Sequence, residues 1–302
     1  MPFIGELAAI GTSLAFSIGS VLFTFAGHAI GTGILNRVRL ALALLFTLIL
    51  HLVFVGSLYP VGTPPDTFFW MAASGAVGFV IGDAFLFEGF VLVGPRLSML
   101  MMALAPVLST IMAWLFLHEA LSLIEIVGIV ITMAGIATVV AAPQAKTNNE
   151  KAPKDRRIYV IGLLFAFGGA LGQAGGSLLS KIGLAGGLPP ISGNAIRLTA
   201  AVILVWVWAI ARGQMVTTYQ TVRHNPRAMV YVAIATLAGP VIGVWLALYS
   251  VQVAPLGIVT TLQSLPPIFL IPIGYFVFKE RITWRVVLGT VVALVGSVLL
   301  FF

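Results

Sequence analysis

Residues 228–278 read AMVYVAIATLAGPVIGVWLALYSVQVAPLGIVTTLQSLPPIFLIPIGYFVF, 51 consecutive positions without a charged side chain. A helical crossing of a bilayer takes roughly 20 apolar residues. The stretch is too long for one crossing and right for two, joined by a turn near Ala254-Pro255-Leu256-Gly257. Hydrocarbon offers no partner to open backbone groups, so each crossing must be helical. Outward from this stretch the pattern recurs along the whole chain, with apolar runs at 7–27, 38–57, 67–91, 97–118, 121–142, 158–181, 190–211, 227–250, 255–278 and 283–302. Ten spans are expected.

Composition agrees. The 302 residues include 16 basic and nine acidic side chains, 8% charged in all, against about 25% in soluble domains. So few charges cannot cover a water-facing surface, which excludes an ordinary soluble enzyme, and the 60% apolar content excludes disorder. The net charge of +7 would suggest nucleic acid in a soluble domain. Here it reads as the basic flanks that orient a membrane protein, and no nucleic-acid partner is expected. The absence of cysteine removes disulfides, thiolate metal sites and thiol catalysis. The amino terminus has no basic region before its first charge, Glu6, and reads as a first span rather than a signal peptide. No zinc cluster, phosphate-binding loop, nucleotide signature or nucleophile–base spacing is present, so no metal, cofactor or enzymatic activity is expected.

One hydrophilic connector, 143–157 (PQAKTNNEKAPKDRR), separates 1–142 from 158–302. The two parts share their punctuation. Gly78 and Gly82 recur 161 residues later as Gly239 and Gly243, and the same shift maps Pro106 to Pro267, Glu119 to Glu280, Gly128 to Gly289 and Gly135 to Gly296. Asn36-x-x-Arg39-Leu40 recurs as Asn194-x-x-Arg197-Leu198 at an offset of 158. Five spans per repeat, an odd number, reverses the entry side of the second half. The expected fold is therefore an all-α membrane protein of ten transmembrane helices in two inverted five-helix repeats, an architecture frequent among secondary transporters. The Gly78/Gly82 and Gly239/Gly243 pairs each place two glycines on one helical face, suited to close packing against a neighbour.

The segments 82–135 and 243–296, with their Pro, terminal Glu and following glycines, resemble the drug/metabolite transporter superfamily, and within it the ten-helix transporters built from two EamA domains. The resemblance touches nearly the whole chain. It implies a central cavity lined by the first four helices of each half, with each fifth helix packed outside as support. It also implies a small-molecule cargo of an unspecified kind.

The function expected is a secondary transporter, an exporter or exchanger of small organic metabolites such as amino acids or related compounds. It would work by alternating access in a bacterial cytoplasmic (inner) membrane. The competing reading is a non-transporting scaffold or receptor-like membrane protein. The partners are a small-molecule substrate and the lipid bilayer, with proton coupling an option, and the oligomeric state is open, a monomer being plausible. Connections after odd-numbered spans hold 14 basic residues and those after even-numbered spans two, Lys181 and Arg197. This asymmetry places the odd side in the cytoplasm and both termini outside.

Ionisable residues at membrane depth are functional candidates by default. Asp83 precedes Pro95 by 12 residues, about 18 Å along a helix, near mid-membrane. Glu88 lies nearer the odd side and, five residues on, faces away from Asp83. Buried ion pairs or gates are expected of Glu88 with Arg39, Glu119 with Arg197, or Glu280 with Arg39, the two choices for Arg39 being exclusive. His51 is a candidate for coupling or for a structural hydrogen bond. Gln173, Trp245, Tyr249 and Gln263 complete the candidate cavity lining, with plain helix packing as the alternative for the aromatic pair.

Overall fold

A computed structural model describes residues 3–118, 120–141, 156–253, 262–279 and 282–300. Among these residues the secondary structure is helical throughout. Most of the connector 143–157, the turn around Pro255, and Glu119 and Glu280 lie outside the described residues, as does the Trp245 side chain.

In the first half the helices are α1 Ile4–Ile30, α2 Thr32–Val55, α3 Pro65–Gly75, α4 Asp83–Met102, α5 Leu104–Leu117 and α6 Leu123–Val140. The second half has α7 Arg156–Leu184, α8 Pro190–Ala211, α9 Met215–His224, α10 Pro226–Thr236, α11 Val244–Val253, α12 Pro266–Phe276 and α13 Trp284–Leu299. Two π-helical turns, Ala76–Gly82 and Leu237–Gly243, join α3 to α4 and α10 to α11. Among the described residues seven continuous helical stretches are long and apolar enough to cross a membrane, and three shorter apolar helices, Leu104–Leu117, Pro266–Phe276 and Trp284–Leu299, bring the number to ten. Large apolar side chains such as Val53, Phe116, Leu123 and Trp284 stand on the outer surface, where lipid rather than water must cover them.

The breaks have local causes. Gly94 takes φ 83° and ψ 164° inside α4, and Pro95 opens the next run, so the third and fourth spans meet there. Ser122 and Glu125 form a reciprocal capping box, 2.7 and 3.1 Å, that starts α6. His118 caps α5 at φ 55°, and Lys279, 161 residues later and three past the end of α12, takes the same φ. The π turns also coincide under the 161-residue shift, so the repeat extends to an uncommon backbone form.

One boundary departs from the sequence reading. The second span starts at Thr32 rather than near residue 38, because Gly31 alone, at φ 78°, makes the connection. Arg37 therefore belongs to α2 together with Arg39, and Arg197 lies inside α8, so none of the three is in a connection. The basic asymmetry survives their removal.

The repeats pack across one another. A Cβ on Gly172 of α7 would lie 2.4 Å from the Gly82 Cα, and one on Gly176 would lie 2.9 Å from the Gly78 Cα. Backbones meet there because neither side has a side chain to hold them apart. In the other pairing, α1 runs along α10 and α11, with Phe16 against Gly239 and Gly243. The fifth helices, α6 and α13, pack on each other through Gly128, Gly135, Gly289 and Gly296.

Candidate functional site

The helices enclose a central cavity of about 590 Å³. Among the described residues its lining comes from the first four spans of each half, and α6 and α13 contribute nothing to it. The cavity reaches the helix ends at Phe54, Leu184 and Pro190, on the side of the even connections. Toward the odd side a dry cluster closes it: Phe23, Ala26, Ile30, Leu35, Phe87, Phe90, Ala228, Val232 and Ala235 are all buried. One end is lined and the other is filled.

Its charged side chains are Arg39, Asp83 and Arg197. Arg39 and Asp83 form an ion pair. Arg39 also donates to Asn36 Oδ1 at 3.5 Å, and its Cζ lies 5.2 Å from the centre of the Phe87 ring. Asn36 donates in turn to the Phe79 carbonyl within the first π turn, at 3.2 Å. Arg197 approaches from α8, with its Cζ 4.4 Å from the centre of the Phe79 ring. Phe79 is thus flanked by the two repeat-equivalent arginines, and the Arg39 and Arg197 Nε atoms are buried without hydrogen-bond partners among the described residues.

The expected pairing of Glu88 with Arg39 is corrected. Glu88 accepts from the Thr32 hydroxyl, while Arg39 goes to Asp83. Starting α2 at Thr32 puts Arg39 seven residues inside the helix, about 10 Å deeper than its end. That brings Arg39 level with Asp83 and leaves Thr32 level with Glu88. Arg37 points elsewhere, holding Gln214 at 2.8 Å and the Thr218 hydroxyl, and so tethers α9 to α2.

His51 does not line the cavity. It is fully buried, with Nδ1 2.6 Å from the Ser57 carbonyl and Nε2 2.9 Å from Ser192 Oγ. A carbonyl only accepts, so Nδ1 carries a proton toward Ser57, and Nε2 shares its hydrogen bond with the Ser192 hydroxyl, which can donate or accept. This ties α2 to α8. Gln173 and Gln263 both line the cavity, and Gln263 donates to Ser250 Oγ at 2.9 Å. Tyr249 is absent from the lining.

Most of the lining escaped the sequence reading, and two of its residues matter to the site. Phe79 carries no signal there, being one apolar residue among many. Asn194 sits in the repeated Asn-x-x-Arg-Leu motif and could have been found from it.

These features define a polytopic helical membrane protein with a central polar site between inverted repeats. The sequence profile of the EamA-like transporter family matches residues 3–141 and again 160–302, and the chain belongs to that family. That assignment also fits the drug/metabolite transporter superfamily. No curated protein matches the chain. One solved crystal structure resembles it with a TM-score of 0.60 at 16% identity, covering 98% of this chain and 95% of the other, a likeness of fold.

Proposed function

We propose that the chain is a secondary transporter, an exporter or exchanger of small organic metabolites, that works by alternating access in a bacterial cytoplasmic membrane. The cavity with one open end and one sealed end carries this reading. It lies between inverted halves, as expected of a scaffold whose two repeats exchange conformations around a fixed site. Arg39, Asp83, Arg197, Gln173 and Gln263 are the proposed cargo contacts. With the basic connections in the cytoplasm, the mouth at α7 and α8 faces outward.

Counterflow in liposomes tests the proposal. Substrate-dependent exchange above protein-free vesicles is the expected result, and its absence for every compound that binds the purified protein would favour the scaffold reading. Asp83→Asn keeps the size and removes the titrating group. Loss of pH-driven uphill flux with counterflow retained would assign Asp83 the coupling proton, whereas loss of both would assign it to cargo recognition.

A further inference from the structure

The charges of the central cavity do not balance. Asp83 is paired with Arg39, and among the described residues no carboxylate forms an ion pair with Arg197. The Arg197 guanidinium lines the cavity, its Nε is buried without a hydrogen-bond partner among the described residues, its Cζ lies 4.4 Å from the Phe79 ring centre, and Asp83, already bonded to Arg39, acts on it only through space. A ring face attracts a cation weakly compared with what burial takes from it in hydration.

The repeat accounts for the imbalance. Arg39 and Arg197 are equivalents, but the position equivalent to Asp83, 161 residues on, is Val244, which lines the same cavity. Among the described residues one carboxylate serves two arginines, and the lining keeps one positive charge in excess. The remaining walls are largely apolar, with Phe16, Phe87, Met99 and Met102 among them.

We propose that the cavity binds an organic monoanion: a monocarboxylate with an apolar or aromatic body, its carboxylate docked on Arg197 beside Phe79 and its body against the Phe and Met walls. The planar guanidinium presents a fork that matches a carboxylate. Such a ligand makes the filled site neutral. A zwitterion leaves one positive charge, and a cation leaves two. A volume of about 590 Å³ is within the range of pockets for small organic ligands. The proposal rests on reading the cavity as the cargo site.

The test is thermal stabilisation of the purified full chain in detergent by matched compounds: 3-phenylpropanoate, its methyl ester, phenylalanine and 3-phenylpropylamine. The same four head groups are repeated on indolyl and branched-alkyl bodies. Carboxylates on at least one body should raise the melting temperature saturably, with ester, zwitterion and amine at least tenfold weaker. Arg197→Gln should weaken carboxylate binding at least tenfold, and Arg197→Lys, which keeps the charge and serves as the second variant if the first does not fold, should recover part of it. Preference for zwitterions or amines, no stabilisation by any carboxylate, or equal carboxylate binding by both variants would overturn the proposal. Counterflow separates it from the transport reading. Carboxylate binding through Arg197 without counterflow keeps the anion site and sinks transport. Counterflow of a zwitterion or amine, unaffected at Arg197, does the reverse.

Discussion

The dipeptide Gly82-Asp83 and its repeat equivalent Gly243-Val244 occupy the same register, each at the end of a π turn, yet their surroundings differ. A Cβ on Gly82 would lie 3.1 Å from the Gly172 backbone carbon of α7. On Gly243 it would lie 3.1 Å from the Ala238 carbonyl oxygen of its own π turn, and across the helix interface it would meet the Phe16 ring at 3.4 Å and the Ala15 Cβ at 3.5 Å. Asp83 holds Arg39, while Val244 offers nothing to Arg197. The first half is locked by backbone contact and an ion pair. The second meets its neighbour through an aromatic ring, and among the described residues its arginine forms no ion pair. Equivalent sequence does not impose equivalent packing in one conformer of an inverted repeat, and a cavity open at one end is the consequence.

The largest expected effect concerns which side each end faces. The chain has no cysteine, so single cysteines report cleanly. Ala185→Cys, beside the open mouth, should react with an impermeant thiol reagent in intact cells, and Gln220→Cys in α9 should react only after permeabilisation. The opposite pattern would turn the open half toward the cytoplasm.

Next is the ion pair. Asp83→Asn leaves Arg39 buried and uncompensated, and removing one member of such a pair costs about 3–5 kcal/mol. The low end is expected here because the pair borders a cavity. Adding Arg39→Gln should recover most of the loss in melting temperature. A single variant as stable as the wild type would show that the first half is not locked by this contact.

The glycines come third. Gly82→Leu should lose about 2–3 kcal/mol and most of the monodisperse yield on gel filtration, since overpacking a tight contact costs about 1–3 kcal/mol. Gly243→Leu should lose less, about 1 kcal/mol, because its neighbour on the facing helix is the Phe16 ring, which can turn, whereas that of Gly82 is backbone; the Ala238 oxygen 3.1 Å away belongs to its own π turn. Equal losses would erase the difference between the halves.

The smallest effect is expected at the tie between α2 and α8. Ser192→Ala removes the hydroxyl hydrogen-bonded to His51 Nε2, and a typical hydrogen bond contributes about 1 kcal/mol. A shift in melting temperature of a few degrees or less is expected, with carboxylate binding unchanged. Loss of binding would bring His51 into the site.

Some of the site was legible from the residues themselves. The depth of Asp83 follows from its distance to Pro95, and the Asn-x-x-Arg-Leu repeat by itself marks Arg39 and Arg197 as equivalents. Membrane class, ten helices and the inverted duplication follow from residue order as well. Hydrocarbon forces each crossing to satisfy its own backbone, and a duplicated gene keeps its glycines and prolines in register. The choice of carboxylate for Arg39 was decided only by the tertiary structure, because it depends on where α2 begins and thus on the single positive-φ residue Gly31. His51 likewise reads as a titrating candidate from its position alone, whereas in the fold Ser57 and Ser192 satisfy both its nitrogens. The same holds for the cavity and its seal. Phe87 and Phe90 border the opening and also join the closing cluster, so residue type cannot separate a lined end from a filled one. Distances between helices make that distinction, and they are set by contacts between halves far apart in the chain.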